Sequence, residues 1–161
     1  MSLFNLKNKS ILITGSSRGI GKAIAKHCAL HGASVIISSR KAEACQAVAD
    51  EINELVGENL AHPIPASISE PEQLEQLVLK TREKLGKIDV LICNAATNPF
   101  MGSMLDMPSD KFDKVMQNNI KSNQLLCNLV IPEMVERNDG SIIIISSIGG
   151  LKGSSLLGAY N

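Results

Sequence analysis

The segment Thr14-Gly15-Ser16-Ser17-Arg18-Gly19-Ile20-Gly21 is the first place where this sequence offers chemistry. Glycines let a backbone turn sharply and let an anion approach with no Cβ in the way. A helix beginning at such a turn adds free N–H groups and about half a positive charge. The chemistry that follows is phosphate binding. A P-loop is the nearest competitor, because Lys22 follows Gly21, but it needs glycine and Ser or Thr where Ser16 and Ala23 stand. A merely tight strand-to-helix turn is the plain alternative.

A second candidate group, Ser38-Ser39-Arg40-Lys41, closes the next apolar run. In a dinucleotide fold this point faces the adenosine ribose, where an acid would bond the free 2′-hydroxyl of NAD and repel a 2′-phosphate. Ser39 occupies the position where that acid is sought, and Arg40 beside it offers a planar donor fork to phosphate. Arg18 can reach the same group. Two guanidiniums without an opposing carboxylate suit a doubly charged ester, so the expected cofactor is NADP(H), with NAD(H) as the alternative. Solvated surface arginines are the plain reading.

Metal chemistry has little to work with. Cys28, Cys45, Cys93 and Cys127 are widely spaced with no C-x-x-C pair. His27 and His31 stand four apart, which is ligand spacing, but no third ligand accompanies them. The cysteines and His62 read as ordinary packing residues, and no metal is expected.

The elements that must position these residues follow from periodicity. Ser10-Ile11-Leu12-Ile13-Thr14 reads as a strand, and Ile20, Ala23, Ile24 and Cys28 as a helical stripe after it. Val35-Ile36-Ile37 is the second strand, and the helix carrying Cys45, Val48, Ala49, Ile52 and Val56 ends at Gly57 as its cap. The third candidate, residues 59–66, contains Pro63 and Pro65, which places it at a sheet edge. Ser69-Glu70-Pro71-Glu72 reads as a capping box for the helix carrying Leu74, Leu77, Val78 and Leu85. Ile88 to Cys93 is the fourth strand. Ser109 is expected to cap a long helix that kinks or breaks at Pro132, and Ile142 to Ile145 form the fifth strand.

Strands apolar on both faces, alternating with amphipathic helices, imply an α/β doubly wound fold with a parallel sheet covered on both sides. Right-handed crossovers give the order 3-2-1-4-5, with the proline-bearing strand at an edge. Residues 1–161 read as a single domain, without linker or internal repeat.

Composition bounds the partners. The chain has 161 residues, 44% apolar and 20% charged, and its 16 Lys plus Arg cancel 16 Asp plus Glu. With no net positive field, one Tyr, three Phe and no Trp, a nucleic-acid partner is not expected. No stretch approaches the roughly 18 apolar residues of a spanning helix, and no signal-peptide layout opens the chain. A cytoplasmic protein without a membrane partner is expected.

The spacing T-G-x-x-x-G-I-G at Thr14 to Gly21 resembles that of short-chain dehydrogenases/reductases. Cys93-Asn94-Ala95-Ala96 sits where that family has N-N-A-G, Asn119-Ile120-Lys121 resembles its helix asparagine motif, and Ser146-Ser147 followed by Tyr160 matches its serine and tyrosine. The residues from Asn94 to Phe100 and Pro132-Glu133-Met134 look most like the branch called member 4, NADPH-dependent carbonyl and retinal reductases. The resemblance implies a Rossmann fold, hydride transfer between NADP(H) and a ketone, aldehyde or alcohol, and a homo-oligomer, tetramer or dimer. It implies cofactor contacts at Gly15, Ser17, Arg18, Gly19, Ile20, Gly21, Ser39, Arg40, Ser67, Ile68, Asn94, Ala95 and Tyr160. Ser67 departs from the family's usual aspartate near the adenine.

Hydride transfer to a carbonyl leaves negative charge on oxygen, so a proton donor and a neutral hydrogen-bond donor are needed. By resemblance, Tyr160 is the acid in reduction and the base in oxidation, and Ser147 polarises the substrate oxygen. Asn119 anchors a water in a proton path, while Asn94 ties the fourth strand to its neighbours. A strand-end cap at Ser147 and a helix-backbone bond at Asn119 are the plain alternatives. The family pattern Y-x-x-x-K is met only as far as Asn161. That lysine lowers the phenol pKa and grips the nicotinamide ribose, so the 161 residues alone are expected to bind cofactor at best, and a whole chain of roughly 250 residues is expected. Competing readings are a non-catalytic dinucleotide-binding module and a methyltransferase on a similar sheet. Phe100, Met101 and Met104 are candidates to line a substrate pocket.

Overall fold

In the computed structural model, which describes residues 4–161, five parallel strands form one sheet in the order β3-β2-β1-β4-β5. The strands are β1 (Ser10–Thr14), β2 (Ser34–Ser38), β3 (Ala61–Pro63), β4 (Val90–Cys93) and β5 (Ser141–Ile144). Helices α1 (Gly19–Leu30), α2 (Ala42–Val56) and α3 (Pro71–Leu85) join the first four strands. Between β4 and β5 lie α4 (Ser109–Val115), a π-helical turn (Met116–Lys121) and α5 (Ser122–Arg137). This is the doubly wound Rossmann architecture, with the expected strand order.

The alternation of strand side chains divides the core. Ile11 and Ile13 of β1 join Val35 and Ile37 of β2 against Ala25, Ala29, Val48 and Ile52 of α1 and α2. The intervening Leu12 and Ile36 face the other way, toward Leu74, Leu77 and Val78 of α3 and Leu126 and Val130 of α5. Burial of both strand faces is what a parallel sheet under helices requires.

The two prolines at the β3 edge are explained by the ladder. Ile64 N–H donates to Ile37 O and Ala66 N–H to Ser39 O, each at 3.0 Å. Pro63 and Pro65 alternate with those donors, so their missing N–H groups fall on the side without a partner strand. Regular strand is nevertheless shorter than the expected 59–66, because Leu60 N and Ala61 N both donate to Asn53 Oδ1 of α2, at 2.9 and 2.8 Å. Gly57 caps α2 as expected, in the left-handed conformation with φ 72°.

Three local expectations are corrected. Pro108, not Ser109, holds the N-cap position of α4, and no side chain caps that helix. The irregularity in the long helix is the π turn rather than a kink at Pro132, and α5 continues to Arg137. Arg82 of α3 helps carry the helix through the proline: its Nη2 donates to Leu129 O at 2.6 Å and reaches Glu133 Oε1 at 3.2 Å. The capping box before α3 does not form. Glu70 takes the N-cap position without a side-chain bond, and the Ser69 hydroxyl turns to Asn118 instead.

Candidate active site

The glycine turn is stitched to the end of β4. Thr14 Oγ1 accepts from Asn94 N and Ala95 N at 3.1 Å each, and Asn94 Nδ2 donates to Thr14 O at 2.9 Å and Gly15 O at 3.1 Å. A Cβ on Gly15 would stand 2.9 Å from Ala95 Cα, and one on Gly21 would stand 2.5 Å from Asn94 Nδ2 and Gly15 O. These two glycines are therefore demanded by the protein's own packing. Gly19 differs: its φ is +55° and a Cβ there would meet nothing within 4 Å. It faces open space, where a ligand can approach the backbone.

Ser16 completes the turn, and sequence reasoning gave it no role. It is buried, its Oγ donates to Ile13 O at 2.8 Å and accepts from Ser38 N at 2.8 Å, and its own N–H donates to Ser38 O at 3.1 Å. The glycine turn is thus pinned to the end of β2, the strand that delivers Ser39 and Arg40. A small hydroxyl immediately after the turn was the available signal.

Charge at this end of the sheet is positive and uncompensated. No side chain caps α1, and its first turn holds no acid. Arg18 and Arg40 are exposed, and among the described residues neither guanidinium makes a hydrogen bond or ion pair. Ser17 is half-buried, and Ile20 is exposed. Ser39 lies half-buried with its Oγ 3.2 Å from Cys45 Sγ. An open backbone at Gly19, an uncapped helix start and two free guanidiniums fit the diphosphate of a nicotinamide dinucleotide.

The loop after β3 carries Ser67 and Ile68, both half-buried. Ser67 N donates to Gln73 Oε1 at 2.8 Å, and Ser67 Oγ accepts from Ser69 N at 3.3 Å.

The π turn positions Asn119. Ser122 N–H reaches back to Gln117 O, and two carbonyls of the turn accept from side chains: Ser122 Oγ donates to Asn118 O at 2.6 Å and Asn123 Nδ2 to Asn119 O at 2.8 Å. The Asn119 amide pairs reciprocally with one peptide of the loop after β4, accepting from Thr97 N at 2.8 Å and donating to Thr97 O at 2.9 Å.

Ser147 begins a 3₁₀ turn (Ile148–Leu151), its Oγ accepting from Gly149 N at 3.1 Å. Its O–H remains a donor. Tyr160 is half-buried and lines a narrow crevice with Asn98, Phe100, Met104, Met107 and Leu156, whereas Met101 points outward. A Cβ on Gly149 would meet Asn161 Oδ1 at 2.6 Å and Ser147 Oγ at 3.3 Å, so the segment bearing Tyr160 folds back beside Ser147. Among the described residues no hydrogen bond joins Asn119, Ser147 and Tyr160 to one another.

The cysteines are free thiols. Burial, together with neighbouring Cys127, pushes the Cys93 thiol up to about 12.

A parallel sheet with a glycine turn at the point where strand order reverses has the layout of the doubly wound α/β folds. The family model for short chain dehydrogenase matches residues 9–161, and the chain belongs to that family. Dehydrogenase/reductase SDR family member 4 of Bos taurus is 41% identical over 97% of this chain, and the Homo sapiens protein of the same name is 40% identical. The chain spans 55% of the length of each. Among solved structures, a 7α-hydroxysteroid dehydrogenase complexed with NADH and 7-oxo glycochenodeoxycholic acid superposes with TM-score 0.90 at 35% identity, covering 97% of this chain and 60% of that one. A metagenomic short-chain oxidoreductase in complex with NADP gives TM-score 0.90 at 32% identity, covering 96% and 69%.

Proposed function

We propose that the protein is an oxidoreductase that moves hydride between NADP(H) and a small carbonyl or alcohol substrate. The observation that carries the reading is the pair of unpaired guanidiniums, Arg18 and Arg40, beside the uncapped start of α1 and with Ser39 in place of an acid. A nicotinamide dinucleotide supplies the hydride when bound. The α1 N–H groups and Gly19 meet its diphosphate, Arg18 and Arg40 choose the 2′-phosphate, and Ser39, Ser67 and Ile68 line the adenosine side. Asn94 and Ala95 hold the turn in place from β4. The Ser147 hydroxyl donates to the substrate oxygen, Tyr160 delivers or removes the proton, and Asn119 keeps the intervening loop in position and anchors a water for the proton path.

The relatives called member 4 and the NADP-bound neighbour support this reading, and the NADH-bound neighbour keeps NAD(H) as the competing cofactor. Exposed Phe112, Ile120, Ile131 and Val135 support self-association as a dimer or tetramer. Four free thiols support a reducing compartment such as the cytoplasm.

Calorimetric titration with each cofactor, paired with NADPH consumption over a panel of ketones and aldehydes, tests the proposal. Arg40→Asp is expected to weaken NADPH binding at least tenfold while sparing NADH, in line with a lost charged pair. Tyr160→Phe is expected to abolish turnover with binding retained. Unchanged NADPH affinity in Arg40→Asp overturns the cofactor assignment, and binding without turnover in the full-length protein favours the non-catalytic module.

A further inference from the structure

We propose that Asn118 is a positioning residue for the adenosine half of the cofactor, acting through Ser69 on the loop that carries Ser67 and Ile68. The proposal rests on the preceding functional reading. Asn118 is 5% exposed, on the π turn, and its Oδ1 accepts from Ser69 Oγ at 2.9 Å. Ser69 directly precedes Glu70-Pro71, where a serine ordinarily turns back to cap the helix. Here α3 starts uncapped and the hydroxyl is spent across the fold. Forgoing a cap destabilises a helix start, so the cross-fold bond offsets a local loss.

That bond governs the loop because the loop is tied to Ser69. Ser69 N donates to Ser67 Oγ at 3.3 Å, Glu70 N to Ser67 O at 3.3 Å, and Gln73 Oε1 receives Ser67 N at 2.8 Å. Ser67 and Ile68 therefore move with Ser69, and Ser69 is held by Asn118. The neighbouring Asn119 grips Thr97 in the loop after β4. Adjacent side chains on a helical turn diverge, so two consecutive asparagines hold the loops at the carboxyl ends of β3 and β4. Those ends border the crevice in which an open α/β sheet receives its ligand.

The test uses the full-length protein and its variants Asn118→Val, Ser69→Ala and Ser69→Thr. Calorimetry is run with NADPH and with 2′,5′-ADP, which carries the adenosine half alone, beside steady-state kinetics at saturating NADPH. Asn118→Val and Ser69→Ala are each expected to weaken both ligands by the same factor, about tenfold, the scale of one well-made buried hydrogen bond. kcat at saturating cofactor stays within about twofold, and Ser69→Thr, which keeps the hydroxyl, restores affinity. The double variant is no weaker than either single one, as for two ends of one bond. Unchanged 2′,5′-ADP affinity in Ser69→Ala, additive losses, or kcat falling in step with affinity overturns the proposal, and Ser69→Ala decides alone if Asn118→Val does not fold. Absence of NADPH binding by the unaltered protein overturns the functional reading itself. Normal binding there with indifferent variants overturns only the role of Asn118.

Discussion

At the scale of single residues, the three glycines of the turn separate into two jobs. Gly21 is enclosed by Asn94 Nδ2 and the Gly15 carbonyl, so Gly21→Ala forces backbone apart and is expected to cost about 1–3 kcal/mol in urea denaturation. Gly19 has room but a left-handed φ of +55°, so Gly19→Ala is expected to cost about 1–2 kcal/mol and to weaken NADPH, whose diphosphate would meet the new methyl. Equal binding loss in both variants, measured on folded protein, would contradict this division. Cys93 makes a pH prediction. Its thiol rises from an ordinary 9.0 to about 12 in the folded chain, so the unfolded chain releases that proton first. Stability from this group is full below about pH 9 and lost as pH rises toward 12. Alkylation of Cys93 at pH 8 is accordingly expected only after denaturation, as mass spectrometry of labelled peptides would show.

Among elements, the π turn between α4 and α5 has the greatest consequence. Its carbonyls at Asn118 and Asn119 accept from Ser122 Oγ and Asn123 Nδ2 four residues on, which fastens the turn to the start of α5. The turn delivers Asn118 and Asn119 to two loops at once, and π turns are frequent at functional sites. Asn119→Ala removes both bonds to the Thr97 peptide and is expected to destabilise the fold by about 1–3 kcal/mol, read as a lower urea midpoint. An unchanged midpoint would show that the loop after β4 holds itself. Two helix-start signals misled, each for its own reason. Ser69 and Ser109 have the side chain of a cap, but Ser69 is claimed by Asn118, and Pro108 has already taken the cap position of α4.

On the scale of the whole molecule, the residues proposed to bind the cofactor gather where β1, β2, β3 and β4 end on the same side of a parallel sheet. A ligand touching all four ends ties together segments far apart in sequence. NADPH at about a hundredfold over its Kd is expected to stabilise the fold by about 2.7 kcal/mol and so to raise the thermal midpoint, by more than NADH does at equal concentration. Differential scanning fluorimetry with both cofactors checks this, and a larger shift with NADH would reverse the assignment at Arg18 and Arg40.

Much of this molecule was legible without coordinates because the signals were local. The short apolar run of β1, helical spacing in α1 to α3, Gly57 as a cap and paired prolines at the edge strand each act over a few residues, and the crossover rule converts them into strand order. What tertiary structure decided involves partners distant in the chain: the buried Ser16 clamp onto β2, the packing of Gly15 and Gly21 against Asn94, the passage of α5 through Pro132 under Arg82, and the bond from Ser69 to Asn118. A hydroxyl or amide can satisfy its neighbours in several ways of similar energy. Only the packed fold selects which partner comes within reach.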